Sequence, residues 1–542
     1  MSQILACQKN GLPHTYQFPW KNFTDLLKTR SREIPAHPAF IFRDVDTGDR
    51  SVTSYADLDR ETAAIAGTLN QKYGISQGDR VSLALPNCVE IPLITLALFR
   101  LGATSVPLDL KRDTPDRKQF KVQDSDSKLI CTFPELVSEE QAILPDTRVV
   151  STDELKGETS HAKSSEPEWS GSQTDEGHTN VVLYTSGTTG VPKGACLTRQ
   201  SLTSNADGII QWLGFDNADR LSLVLPLHHV NSTVFSLTML MVGGTLILNS
   251  RYSLSQFWPV IEEEEVTATS IVPTIMHDLN GSDTEPATAR NHLKKVMIGS
   301  APVPSGAACR FVDRFGIPLT QGYGTTEVSL RVTGLSPDLK PDTYRYLLEE
   351  NSIGSELANC NVAIHGDPTE GELGEILVRG PVVADGYLNQ SSATLESFTD
   401  EWFRTGDIGY WRLIEGERYY FIHGRAKEII IKGGVNISPI AVENALVESV
   451  DEISAAYVVG LPSERWGEDI CAAVVVDGNT GDAARIIQTI YTMAQAGDIS
   501  GLSSFEAPSK IVDVHPDDLP KTSTGKVQRA ALKDRLIQRL SA

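Results

Sequence analysis

Residues 81–107 constrain the fold most. Val81–Leu85 is an apolar run of strand length, and Pro86-Asn87 interrupts it. Val89–Leu101 is long enough for a helix, with Gly102 placed to end it, and Ala103–Pro107 reads as a second short strand. Strand, helix, strand in that order winds a parallel sheet, because parallel neighbours need a crossover between them. The pattern recurs at Leu221–Leu225, Thr233–Met241 and Thr245–Leu248, with Gly243-Gly244 closing the helix. No short-period repeat is present, which argues against a solenoid.

After about residue 360 the texture changes. Asn361–Ile364, Glu375–Val378 and Tyr419–Ile422 are short apolar runs between turn residues, and they read as antiparallel strands. A second domain is expected to begin near Gly424. There Ile429–Ile431 reads as a strand, and Ser438-Pro439 as the capped start of a helix to about Val450. Ala472–Val476 reads as a further strand. Leu532, Leu536 and Leu540 recur on a final amphipathic helix. Ser151–Asn180 is polar throughout and reads as a surface linker.

Composition limits the partners. The 542 residues carry 48 Lys and Arg against 70 Asp and Glu, a net charge of −22. Such a surface is unsuited to nucleic acid or anionic lipid. Any phosphate site must then be built locally, from a few placed residues and backbone N–H groups. The seven cysteines are scattered and never spaced C-x-x-C, so neither a zinc site nor a disulfide framework is expected. The longest apolar run, Ile91–Phe99, falls short of the roughly 20 residues that cross a bilayer. The first residues lack a secretory pattern, and the final Arg-Leu-Ser-Ala is not a peroxisomal address. These features lead to the expectation of a soluble cytoplasmic protein with no integral membrane association.

Five segments carry chemistry. Tyr184–Gly194 (YTSGTTGVPKG) follows an apolar strand with three glycines, four hydroxyl residues and Lys193. Glycines let N–H groups converge on an anion, and Lys193 adds charge, as nucleotide phosphates require. It is not the Walker loop, because no Ser or Thr follows the lysine. Gln321–Glu327 (QGYGTTE) offers a tyrosine to lie against a base, a hydroxyl for phosphate and a carboxylate for a hard cation. It also reads as a plain glycine turn. In Trp402–Asp407 (WFRTGD), Asp407 suits two ribose hydroxyls, or simply occupies a turn. Gly424–Pro439 begins GRAK and straddles the expected boundary. Leu519–Lys526 (LPKTSTGK) presents Lys526 at a small-residue turn, where a solvated lysine is the plain alternative.

In this order and spacing the five segments resemble the adenylate-forming superfamily of acyl-CoA synthetases, firefly luciferases and nonribosomal-peptide adenylation domains, from about residue 20 to 540. The resemblance implies an α/β fold. It has a large N-terminal domain of doubly wound sheets plus a small β-barrel-like part (1–423), a hinge (424–428), and a small α+β C-terminal mobile domain (429–542). It implies ATP and magnesium as reactants with a small carboxylic acid, and coenzyme A as acceptor. Thr185, Ser186, Gly187, Thr188, Thr189 and Lys193 would hold the leaving phosphates. Gly299, Ser300, Ala301 and Pro302 would form one adenine wall, and Gly322, Tyr323, Gly324 and Thr325 the other, with Tyr323 stacked on the base. Thr326 would touch the α-phosphate and Glu327 would bind magnesium. Asp407 would hold the ribose with Arg425 nearby, and Lys526 would bridge the acid and the α-phosphate.

By the same resemblance Lys427 is the hinge and Gly434 leaves room for a pantetheine arm. His229, Asn231, Ser232 and Arg331 would line the acyl pocket, His229 as its gate, although a histidine satisfied by backbone and a surface arginine are the plain alternatives. No aspartate stands where amino-acid adenylation domains bind the amine, so a polar or short acid suits these residues best. A lysine between carboxylate and phosphate offsets the repulsion of two anions, and no protein nucleophile is required. No G-x-S-x-G elbow is present, which weakens a hydrolase reading. The leading expectation is an acid–thiol ligase making acyl-CoA. Transfer to a carrier-protein phosphopantetheine, adenylation without CoA, luciferase-like oxygenation and a non-catalytic nucleotide-binding scaffold are the alternatives. A homodimer is compatible with all of them.

Overall fold

The computed structural model describes the chain except residues 1–15, 157–176, 186–191, 285, 287–291, 367, 400, 451, 477–482, 523–524 and 542. Segment 81–107 folds as its pattern dictates. Arg80–Ala84 and Thr104–Pro107 pair in parallel, Arg80 against Thr104, around the helix Glu90–Leu101. That helix is apolar on all sides and buried, and Gly102 ends it in the left-handed conformation at φ 64°. The six-stranded sheet runs Arg148–Ser151, Leu129–Thr132, Arg80–Ala84, Thr104–Pro107, Thr179–Thr185, Lys193–Thr198. Only the last strand is antiparallel to its neighbour.

A second sheet of 14 strands contains the parallel run Thr245–Asn249, Arg220–Leu223, Ala268–Ile271, Lys295–Ile298, Leu319–Tyr323. The antiparallel strands expected after residue 360 are present, and they continue this sheet. Gly322 pairs with Gly334, and the path passes through Ser352–Glu356 to Glu417–Arg425, Trp402–Ile414, Gly374–Arg379 and Asn361–Ile364.

The C-terminal unit has a five-stranded sheet. Strand Glu417–Arg425 still belongs to the large sheet, residues 426–428 turn, and Ile430–Lys432 opens the new sheet. The change of sheet thus falls just after Arg425, and Gly424 and Arg425 remain paired with Ile408 and Asp407. Ser438 caps the helix Pro439–Ser449 by accepting from Ala441 N at 3.2 Å. Leu532 and Leu536 of the last helix pack under the sheet, whereas Leu540 is 43% exposed and outside the apolar stripe.

The polar stretch 151–180 is structured at both ends. Ser151 closes a strand and caps the helix Thr152–Lys156: its hydroxyl accepts from Glu154 N at 3.2 Å, and its own N–H donates to Glu154 Oε1 at 3.2 Å. This capping box outweighs the polar composition there. Thr179 and Asn180 begin the next strand. Among the described residues no helix is long and apolar enough to cross a membrane.

Candidate active site

Strand Thr179–Thr185 and its partner Lys193–Thr198 flank the glycine-rich loop, with Thr185 opposite Lys193. Ser186, Gly187, Thr188 and Thr189 lie outside the described residues. Lys193 Nζ stands 4.9 Å from the centre of the Tyr387 ring, a cation–π contact. Tyr387 Oη in turn donates to Glu327 Oε1 at 2.9 Å. Burial and the Glu327 charge push the Tyr387 phenol well up, so it remains a donor. One tyrosine thereby joins the lysine of the loop to the glutamate of QGYGTTE. Tyr387 lies 60 positions from Glu327, in an irregular stretch that carries no local sequence signal.

Gln321–Glu327 occupies the end of a strand and a short 3-10 turn, Thr326–Val328. Gly324 is required by close approach: a Cβ there would collide with the Leu330 carbonyl. Thr325 Oγ1 is buried and has no partner. Tyr323 is buried, not exposed, and its hydroxyl donates to Asp407 Oδ2 at 2.7 Å. Asp407 Oδ1 accepts from Arg425 Nε at 3.0 Å, its cross-strand partner. The Asp407 charge is the main reason that the Arg425 pKa is raised. Gly299 to Pro302 follow the strand Lys295–Ile298, with Ser300 at φ 67°.

Lys526 joins this group from the far end of the chain. It is half-buried, and burial followed by the Arg425 charge pulls its pKa down to about 8, against the opposing pull of Asp407 and Glu428. A tight turn presents it: Lys526 N donates to Thr522 Oγ1 at 3.1 Å and Thr522 N to Lys526 O at 2.7 Å. The turn presses on the large unit, where a Cβ on Gly525 would lie 2.9 Å from Thr274 Oγ1. Ser305 Oγ of the large unit donates to Glu448 of the C-terminal unit at 2.9 Å, and Arg529 pairs with Glu428 of the connecting turn at 3.0 Å. Glu443 also pairs with Arg529.

The acyl-pocket candidates do not all converge. Asn231 and Ser232 are consecutive on the helix Val230–Val242 and point about 100° apart. Asn231 Nδ2 donates to Ser270 Oγ at 2.9 Å on the sheet. Ser232 instead lines an apolar cavity of about 40 Å³ with Ile91, Leu96 and Phe99 from the neighbouring helix. His229 is half-buried with its Nδ1 turned inward and lacking a partner, and desolvation of the ring holds its pKa at about 4, so it is neutral near pH 7. That rules out satisfaction of Nδ1 by backbone. Arg331 is not on the surface: it is 2% exposed, and Nη1 donates to the Gly322 carbonyl.

Lys427 is exposed in the turn after Arg425. Gly434 is exposed: it tips the hairpin between Ile430–Lys432 and Val435–Ile437, and a Cβ there would meet nothing within 4 Å. The left-handed φ of +85°, not close approach of another chain, demands glycine in this arrangement. For a metal, Glu327 supplies one carboxylate, and no cluster of three or more His, Cys, Asp or Glu is present among the described residues. That donor set suits magnesium arriving on a nucleotide, since magnesium keeps waters and substrate phosphates beside one or two carboxylates.

The sequence pattern of AMP-binding enzymes fits residues 27–388, and that of the AMP-binding enzyme C-terminal domain fits residues 441–526. The chain belongs to the AMP-binding enzyme family. As a member of that family it is 32% identical over 490 residues to the indoleacetate–CoA ligase of Aromatoleum aromaticum, covering 88% of this chain and 92% of that protein. It is 30% identical over 526 residues to the long-chain-fatty-acid–CoA ligase FadD13 of Mycobacterium tuberculosis, covering 95% and 98%. The structure of o-succinylbenzoate CoA synthetase from Bacillus subtilis, in complex with its acyl-adenylate intermediate, aligns with a TM-score of 0.78 and 27% identity, over 94% of this chain and 97% of that one.

Proposed function

We propose that this AMP-binding enzyme is an ATP-dependent acid–thiol ligase that activates a carboxylic acid as its acyl-adenylate and passes the acyl group to coenzyme A. The observation that carries the reading is Lys526, brought from the C-terminal unit to the Asp407–Arg425 pair of the large unit. In the first step a carboxylate oxygen bonds to the α-phosphorus of ATP, and the bond from that phosphorus to the pyrophosphate oxygen breaks. Lys526 lies between the two anions and stabilises the charge that develops there. Asp407 holds the ribose, Tyr323 and Gly299–Pro302 the adenine, Thr326 the α-phosphate, and Lys193 the departing phosphates. Magnesium, held by Glu327 and the phosphates, would offset the pyrophosphate charge. Neutral His229 acts as a wall of the pocket and not as a proton carrier.

In the second step the thiol sulfur bonds to the acyl carbon, the carbon–oxygen bond to AMP breaks, and the thiol proton leaves to solvent. We assign residues 1–423 to adenylation, 424–428 to a hinge centred on Lys427, and 429–542 to a C-terminal domain that turns between the steps. Gly434 faces solvent in the arrangement described, so the turn has to carry it to the pantetheine passage. A cytoplasmic location belongs to this reading.

The acids named for the relatives are too varied to carry over. A pyrophosphate-release screen over short, dicarboxylic, aryl and medium-chain acids, with and without CoA, tests the function. CoA-dependent AMP release and thioester with at least one acid is expected. No pyrophosphate with any acid would overturn it, and product only with a holo-carrier protein would move the acceptor from CoA to that carrier.

A further inference from the structure

Arg331 has no task in the reaction just described, yet its placement is costly. A guanidinium stays charged at any ordinary pH, and burying it without a counter-charge is unfavourable. Its Nη1 reaches only the Gly322 carbonyl, while Nε and Nη2 are buried with no acceptor at all. Burial alone pulls its pKa down to about 10, with no neighbouring charge opposing the shift. Nε and Nη2 form the side edge of the guanidinium, the pair of parallel donors that fits the two oxygens of one carboxylate.

The backbone holds the side chain there. Asn205 Nδ2 donates to Arg331 O at 2.6 Å, and Arg331 N donates back to Asn205 Oδ1 at 3.3 Å. Just before it, Ser329 and Leu330 take φ of 60° and 129°, conformations that non-glycine residues adopt at a cost and that concentrate at functional sites.

The register shows which side of the sheet Arg331 occupies. Ser270, Met297 and Thr320 are partners on three adjacent parallel strands and face the same way. Gly299 and Gly322 lie two residues beyond Met297 and Thr320, so they face that way too. A Cβ on Gly299 would come within 2.8 Å of Arg331 Nη2, and one on Gly322 within 3.1 Å of Arg331 Cδ. Asn231 meets Ser270 on this same face. Tyr323, one residue on from Gly322, points to the opposite face and reaches Asp407. The guanidinium is therefore on the Asn231 side of the glycine wall, away from the ribose candidates, at the carboxyl ends of strands where open α/β sheets bind ligands.

We propose that Arg331 is a specificity-determining residue that takes a second carboxylate on the acid, which makes the substrate class dicarboxylic acids. This rests on the ligase reading above. Lys526 serves the carboxylate that becomes the acyl group, and Arg331 supplies the counter-charge for the one that does not react.

The test compares linear dicarboxylic acids with monocarboxylic acids of equal carbon number in ATP-dependent pyrophosphate release. It uses the full chain, with ATP binding and thermal unfolding measured separately. The wild type is expected to prefer a diacid at one length. In Arg331→Met the diacid-to-monoacid ratio of kcat/KM should fall on the order of 100-fold. Arg331→Lys, which keeps charge without the fork, should retain an intermediate ratio. Wild-type activity on monoacids equal to that on every diacid overturns the proposal, even if the methionine variant fails to fold. Loss of ATP binding in Arg331→Met, or an equal loss for both acid types, also overturns it, because Arg331 would then only support the glycine wall. Absence of pyrophosphate release with any acid would instead remove the ligase reading, and this proposal with it.

Discussion

Tyr323 donates its phenolic proton to Asp407 Oδ2 at 2.7 Å, while Arg425 holds Asp407 Oδ1 at 3.0 Å. The residue read as the adenine platform thus orients the residue read as the ribose anchor. Each carboxylate oxygen has a second lone pair, so Asp407 keeps capacity for hydroxyls. Tyr323→Phe preserves the ring and removes the donor. A hydrogen bond to a buried charge is worth about 1.5–3 kcal/mol, so a stability loss of that order is expected in urea unfolding, with weaker ATP binding by titration. Unchanged stability and affinity would show that the pair orients nothing.

Lys526 supplies the pH dependence. Its folded pKa, pulled down to about 8, keeps it charged below pH 8 and neutral above. The kcat/KM for adenylation should fall as pH rises through about 8, and kcat should fall at higher pH, because bound anions favour the charged form. The stability sign is opposite. Between the folded value and the ordinary lysine value the unfolded chain binds more protons, so Lys526 makes stability rise with pH in that window. Lys526→Ala should retain ATP binding and lose on the order of 100- to 1000-fold in adenylation rate. Full activity in that variant would remove Lys526 from the reaction.

Tyr387 ties Lys193 to Glu327 and touches both through different atoms. Tyr387→Phe keeps the ring under the ammonium and deletes only the bond to the carboxylate. The magnesium concentration for half-maximal pyrophosphate release should rise roughly tenfold. A variant with unchanged magnesium dependence and altered acid preference would place Tyr387 elsewhere in the mechanism.

Gly433 and Gly434, at φ +56° and +85°, form a two-residue hairpin turn of the I′ kind. Gly434→Ala should lose about 1–2 kcal/mol in urea unfolding, because a Cβ disfavours the left-handed region. Asn tolerates that region, so Gly434→Asn isolates side-chain bulk. If Gly434→Asn is stable and adenylates but forms thioester slowly, the passage is real. If thioester formation is unaffected, the turn alone explains the glycine.

Much of the fold was legible because its signals are local. The helix Glu90–Leu101 and its Gly102 stop follow from an apolar run and a left-handed cap. The change of sheet after Arg425 follows from a turn between two short strand patterns. The helix Thr152–Lys156 is hidden by the polar composition around it, although Ser151 and Glu154 carry the capping box. The resemblance places Asn231 and Ser232 in one pocket, but consecutive residues on a helix face different neighbours.

The sequence by itself determined which residue types were at hand: a glycine- and threonine-rich loop with a lysine after a strand, a glutamate after a glycine turn, an aspartate in WFRTGD, and a lysine on a terminal turn. Glycines, caps and periodicity act over a few residues, so they can be read along the chain. Only the tertiary structure decided what meets what. It set Tyr387 on Glu327, Tyr323 on Asp407 and Lys526 beside Arg425, and it buried Arg331 with two donors unmatched. These relations depend on how distant elements pack and what that packing removes from water. No local preference of the chain encodes that.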